Sequence, residues 1–78
     1  MILPRTVTAR RFIKALLKDG FVLVRQKGSH QTYRHPDGRT VTVLFHRSGE
    51  TFRPGTLHAM IKDAGWTEAD LRRLKLIK

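Results

Sequence analysis

Residues 21–45 read FVLVRQKGSHQTYRHPDGRTVTVLF, and this stretch decides the fold. Within it, three short runs are rich in β-branched and aromatic residues, which predicts strands. The runs are residues 21–26, 30–35 and 39–45. Typical turn sequences, KGS at 27–29 and PDG at 36–38, separate them. Because these connections are short, strands that are consecutive in sequence should pair, which gives an antiparallel meander.

A helix is predicted on the N-terminal side of these strands. Thr8 is a favourable N-cap residue, and the apolar residues of 9–18 recur at the spacing of one helical face. They are Phe12, Ile13, Leu16 and Leu17. Gly20 should end the helix, because glycine adopts the left-handed conformation of a helix end at little cost. The opposite face is basic, and it is either solvated surface or the flank of an RNA groove.

The chain after the third strand predicts an exposed loop and two further helices. Residues 46–53 are polar, whereas Pro54 suits the first turn of a helix that Gly65 stops. Thr67, with Asp70 three residues later, should begin a short C-terminal helix. We therefore predict an α+β fold with the order α-β-β-β-α and a terminal helical appendage. Helices packed on one face of a three-stranded antiparallel sheet would leave its other face open to solvent.

Charge is the strongest compositional feature. Sixteen Lys and Arg against six Asp and Glu give a formal net charge of +10, which exceeds the roughly 2 to 8 charges that solubility of a small domain requires. Residues 1–49 carry ten basic and two acidic residues, and residues 50–78 carry six and four. Such a field attracts polyanions. We favour nucleic acid as the ligand of the N-terminal part, with an acidic protein partner as a second consequence.

Length and composition exclude several classes of protein. A chain of 78 residues suffices for one domain, 1–78, and is too short for two stable cores. No stretch approaches the roughly 20 apolar residues that span a bilayer, and residues 1–5 lack the apolar segment of a secretory signal. We expect a cytoplasmic protein with no membrane partner. Without cysteine, an acidic cluster or histidines at ligand spacing, neither a metal nor another cofactor is expected.

His30 is the candidate for chemistry, because it follows the first turn and lies close to Arg25, Lys27 and Ser29. Cleavage of RNA without metal needs a base for the 2′-OH proton, an acid for the leaving 5′-oxygen and positive charge for the developing phosphorane. Histidine can serve either proton role near neutral pH. On pattern alone, a surface histidine in a basic hairpin is the simpler interpretation.

Several segments resemble one known family. They are residues 16–21 (LLKDGF), 25–30 (RQKGSH), 54–57 (PGTL), 61–62 (IK) and 64–65 (AG). Over nearly the whole chain the pattern is similar to the HicA (YcfA-like) toxins of type II toxin-antitoxin systems, and the Gly-Ser-His tripeptide at 28–30 is its most specific part. The resemblance implies a double-stranded-RNA-binding-like fold, endoribonuclease activity on messenger RNA (an mRNA interferase) and neutralisation by a HicB antitoxin. It also implies that His30 is the catalytic histidine.

The resulting hypothesis assigns roles to five residues. His30 acts as general acid or base, and the RNA-binding set is Arg25, Lys27, Ser29 and Arg34. The three cations of this set hold phosphates on the open sheet face, and the product is a 2′,3′-cyclic phosphate. The group that completes the acid–base pair is left open.

The other histidines and large aromatic residues receive different interpretations. His46 follows the third strand where relatives commonly show Pro-x-His, but Leu44 replaces that proline here. We interpret His46 as a loop residue that contacts RNA or a partner. We interpret His35 as a strand-end residue and His58 as a surface or helix-packing residue of the second helix. Trp66 and Tyr33 are interpreted as packing residues.

Two other classes of function stay open. A non-catalytic RNA-binding module would share the charge and the fold and differ only in lacking turnover. A helix-turn-helix DNA-binding protein would use residues 54–74, although most of the positive charge lies outside that segment. The DNA-binding protein should prefer duplex DNA, the module should leave RNA intact, and the toxin should cut it.

Overall fold

The order of the elements follows the sequence prediction. A computed structural model describes residues 7–77, and its elements are α1 (Ala9–Lys18), β1 (Val22–Lys27), β2 (His30–Arg34), β3 (Thr40–Leu44), α2 (Pro54–Ala64) and α3 (Glu68–Arg73). The predicted α+β class and the α-β-β-β-α order are confirmed. The prediction made on residues 1–5 lies outside the described part of the chain. None of the helices within residues 7–77 is long and apolar enough to cross a membrane.

The sheet is the predicted antiparallel meander, with the strand order β1-β2-β3. His30, at the start of the central strand, is opposite Leu44 of β3 and Lys27 of β1. The β1–β2 register shifts between Leu23 and Arg25. An irregularity of this kind bends a strand and redirects its side chains. Both neighbouring strands therefore contribute to the surroundings of His30.

The helices cover one face of the sheet and form the core with it. In β3, Val41 and Val43 are fully buried, whereas the residues between and beside them are exposed. The most deeply buried helical side chains are Phe12, Leu16, Leu57, Ile61 and Leu71. Burying an apolar side chain of this size contributes roughly 1.5–3 kcal/mol. Alternation along β3 thus separates the core from an open outer face, as predicted.

One expectation about an apolar residue was wrong. Leu17, placed by its spacing on the buried stripe of α1, is 54% exposed. All residues of β1 are exposed, including Val22 and Val24, and only Phe21, just before the strand, is buried. Helix α2 packs on β3, at the edge of the sheet opposite β1.

The loop at residues 46–53 is largely exposed, as predicted, but it is tied down at several points. Glu50 Oε2 accepts hydrogen bonds from the backbone N–H groups of His46 (2.7 Å) and Arg47 (2.9 Å). The carbonyl oxygens of Glu50 and Ser48 accept the first two backbone N–H groups of α1, at 2.8 and 3.0 Å. The loop therefore satisfies donors that a helix leaves free at its start. Polar contacts, not burial, order this segment.

Candidate active site

His30 is the first residue of β2 and immediately follows the turn between β1 and β2. Gly28 has a φ of 58°, a left-handed conformation that glycine adopts without a steric penalty. The chain can therefore reverse tightly between Lys27 and His30. The side chain of His30 is exposed, and it makes no hydrogen bond or ion pair with residues 7–77. Both ring nitrogens are open to a ligand.

Three of the predicted site residues surround one depression on the open sheet face. It has a volume of about 230 Å³, and its lining residues are Arg25, Lys27, His30, Thr32 and Thr42. The hydroxyl oxygens of the two threonines are 3.4 Å apart. The depression thus combines an imidazole, two cations and two hydroxyl groups. Such a set can hold a phosphodiester by charge and exchange a proton with it.

The other two predicted site residues take different positions. Arg34 lies four residues along β2 from His30, roughly 13 Å away at the rise of a strand, and it does not line the depression. Ser29 is in the turn, where its Oγ lies 2.8 Å from Nδ1 of His46. The structure therefore places Arg25 and Lys27 beside His30, leaves Arg34 apart and gives Ser29 a protein partner.

The contact of Ser29 with His46 was not predicted from the sequence. The N–H of Phe45 donates to the carbonyl oxygen of Ser29 at 3.2 Å, which extends the β2–β3 ladder beyond Leu44 and brings residue 46 to the turn. In the sequence, the sign of this contact was a histidine two residues after the third strand. Its partner lies 17 residues away in sequence, and only the strand register identifies it.

The sheet face keeps its positive charge because five of the six acidic residues are engaged elsewhere. Within residues 7–77 the ion pairs of Asp and Glu use His35 and arginines 39, 72 and 73. None of them involves Arg25, Lys27 or Arg34. Glu50 binds loop backbone instead, and these hydrogen bonds hold its pKa below the ordinary value. A polyanion approaching the sheet therefore meets cations without counter-charges.

The remaining candidates have the structural positions that the sequence predicted. His35 follows β2, and its Nε2 lies 2.9 Å from the carbonyl oxygen of Asp19. His58 is exposed on α2. Trp66 and Tyr33 are buried, so neither offers a free ring face for a base. Residues 7–77 contain no group of three or more His, Cys, Asp or Glu side chains that could hold a metal ion.

Comparison with known families decides the affiliation of the chain. The family model described as HicA toxin of bacterial toxin-antitoxin matches residues 9–66. The match begins at the start of α1, includes the whole sheet with the Gly-Ser-His turn, and extends through α2 to Trp66. The chain belongs to the HicA toxin family. As a HicA-family protein it is a toxin of a toxin-antitoxin system, which implies an antitoxin partner. A search of curated protein sequences found no match.

Proposed function

We propose that this HicA-family toxin is a metal-independent endoribonuclease that cleaves messenger RNA and inhibits translation, with His30 as a catalytic residue. The observation that carries the proposal is the depression in which His30 lies with Arg25 and Lys27. A free imidazole next to two uncompensated cations suits a phosphodiester substrate. As an mRNA interferase, the toxin would act in the cytoplasm.

The proposed reaction uses the 2′-hydroxyl of the RNA as nucleophile. His30 exchanges one of the two protons that the reaction moves, while Arg25 and Lys27 stabilise the negative charge that develops on the phosphate. The 2′-oxygen bonds to phosphorus and the 5′-oxygen leaves. The products are a 2′,3′-cyclic phosphate and a 5′-hydroxyl. Arg34 would bind the strand farther along the sheet.

The same surface is proposed to bind a HicB-type antitoxin. The exposed cations of β1, Arg25 and Lys27, lie beside the exposed apolar residues Val22 and Val24. An acidic partner with an apolar centre could cover both kinds of side chain, and charge complementarity would speed its association. Such a partner would bury His30 together with the phosphate-binding residues.

The test is an incubation of labelled messenger RNA in EDTA with the wild-type protein and its His30→Ala variant, followed by mapping of the fragment ends. We expect cyclic phosphate ends from the wild type and a rate lower by about 10²- to 10⁴-fold for the variant. The variant should keep its fold because His30 is exposed. His58→Ala, another exposed histidine, is the matched control and should cleave normally. RNA that stays intact but bound with both proteins would favour the non-catalytic module.

A further inference from the structure

Ser29 and His46 form a polar pair next to the proposed catalytic histidine. Ser29 Oγ lies 2.8 Å from Nδ1 of His46, and Ser29 immediately precedes His30. The His46 residue is exposed, so packing of the core does not fix its ring. A hydrogen bond at Nδ1 orients the imidazole and leaves Nε2 for a ligand.

The sheet register brings His46 within reach of the phosphodiester that His30 would contact. His30 is opposite Leu44, and the Phe45 N–H still donates to the Ser29 carbonyl oxygen at 3.2 Å. Residue 46 is therefore two positions beyond the partner of residue 30, and Cα atoms so related in a regular antiparallel pair are about 7–8 Å apart. Side chains that extend from Cα atoms at this separation can place two imidazoles on opposite sides of one phosphate.

The backbone of His46, like its ring, is fixed by a hydrogen bond. Glu50 Oε2 accepts the N–H groups of His46 and Arg47 at 2.7 and 2.9 Å. The hydrogen bonds from Arg47 and His46 lower the pKa of Glu50, so its carboxylate stays ionised throughout the range in which histidines titrate. This carboxylate therefore fixes the backbone from which the His46 ring extends.

The other histidines do not offer the same geometry. His35 uses both ring nitrogens, with Nε2 2.9 Å from the Asp19 carbonyl oxygen and Nδ1 accepting the Asp37 N–H at 3.2 Å. His58 lies on α2, away from the strand ends that carry His30. Within residues 7–77, His46 is the histidine that the fold brings to the turn of His30.

We propose that His46 is the general acid of the cleavage reaction and that Ser29 is its positioning residue. This inference rests on the ribonuclease function proposed above. His30 accepts the proton of the 2′-OH, the 2′-oxygen bonds to phosphorus, the bond from phosphorus to the 5′-oxygen breaks, and His46 gives its proton to that oxygen. His30 ends protonated and His46 neutral, and proton exchange with water restores both.

The test uses an RNA in which sulfur replaces the scissile 5′-oxygen, because a thiolate leaves without being protonated. Wild type, His46→Gln and His30→Gln are compared on this RNA and on ordinary RNA, in EDTA. We expect His46→Gln to be slower by about 10²- to 10⁴-fold on ordinary RNA and to regain the wild-type rate on the thio substrate. His30→Gln should be slow on both substrates, because it removes the base.

Two further variants complete the comparison. Ser29→Ala should be slower by about fivefold on ordinary RNA, the effect of one lost hydrogen bond of roughly 1 kcal/mol, and should also regain its rate on the thio substrate. His58→Gln controls for the loss of an exposed histidine and should match the wild type on both. Circular dichroism checks that every variant is folded.

Each remaining outcome is informative. A folded His46→Gln that is equally slow on both substrates would overturn the role of general acid, because the defect would not depend on the leaving group. Wild-type activity of His46→Gln on ordinary RNA would overturn it as well. If the wild type cleaves neither substrate, the ribonuclease function has failed and the role of His46 falls with it.

Discussion

Trp66 donates a hydrogen bond of 2.9 Å from Nε1 to Oδ2 of Asp19, 47 residues earlier in the sequence. Asp19 follows α1 and also accepts hydrogen bonds from Arg73 of α3 at 2.8 Å and from Arg39 at 3.4 Å. Its side chain is only 12% exposed. One carboxylate thus joins the end of α1 to α3 and to the chain entering β3. These four residues, which we call the Asp19 cluster, hold the helical layer beneath the sheet that carries the candidate site.

Asp19→Asn should lower the free energy of unfolding by about 2 kcal/mol, because a hydrogen bond to a charged group contributes about 1.5–3 kcal/mol. The amide keeps one oxygen for Trp66 but removes the charge that Arg73 and Arg39 contact. Unfolding in urea measures the change. Asp63→Asn, at an exposed position outside the ion pairs of residues 7–77, is the control. Equal stability of the two variants would mean that the Asp19 cluster does not stabilise the fold.

Acid should destabilise the protein through the same carboxylate. Burial by itself raises the pKa of Asp19, but hydrogen bonds from Trp66 and Arg73, with the charges of Arg73 and Arg39, hold that pKa below 3.8. A carboxyl with a lower pKa in the folded state stabilises the fold above its unfolded pKa, and this contribution disappears as the pH falls through the folded pKa.

The melting temperature should therefore change little through this group above about pH 5 and fall below about pH 4. Thermal unfolding monitored across that range gives the measurement. Asp19→Asn should show a weaker decline than the wild type. An identical decline in the two proteins would assign the acid sensitivity to other carboxyl groups, such as Asp37, Glu50 and Asp70, whose pKa values are also lowered.

RNA binding should weaken with salt. If the toxin neutralises about five phosphates of a single strand, its affinity should fall by roughly 10² between 50 and 200 mM salt, at a slope near −0.7 per contact. Lys27→Ala should reduce that slope by about 0.7. Lys62→Ala, on the exposed side of α2, should leave it unchanged. Fluorescence anisotropy with labelled RNA measures both slopes, and a flat response to salt would contradict binding on the sheet face.

Binding of the antitoxin should protect His30 from chemical modification. Diethyl pyrocarbonate reacts with exposed histidines, and both His30 and His58 are exposed in the toxin alone. In the complex, mass spectrometry should find His30 unmodified and His58 still reactive, because the proposed interface lies on the sheet and His58 lies on α2. The reverse pattern would place the antitoxin on the helical side.

The local features of the fold were readable from sequence because each depends on a few neighbouring residues. The Thr8 hydroxyl accepts the Arg11 N–H at 3.2 Å, and Thr67 forms the predicted capping box with Asp70. Interactions of this kind close within three residues, so residue type and spacing suffice to predict them. For the same reason the turn before His30 was found from its glycine.

The spacing of apolar residues did not predict burial where burial depends on packing against another layer of the fold. Leu17 has the helical spacing of a core residue, yet it is 54% exposed because the packed face of α1 is narrower than its apolar stripe. Val22 and Val24 of β1 are both exposed, and β1 lies at the edge of the sheet opposite the strand on which α2 packs. An apolar residue is buried only if another element covers it, and that partner is not encoded nearby in the chain.

The sequence by itself determined the elements, their order, the basic character of the N-terminal part and the position of His30 after a tight turn. Only the tertiary structure decided that Ser29 contacts His46, across 17 residues, and that Asp19 contacts Arg73, across 54. The physical reason is the range of the interactions. Caps and turns form between near neighbours, whereas these contacts require a strand register and a helical layer that exist only after the chain has packed.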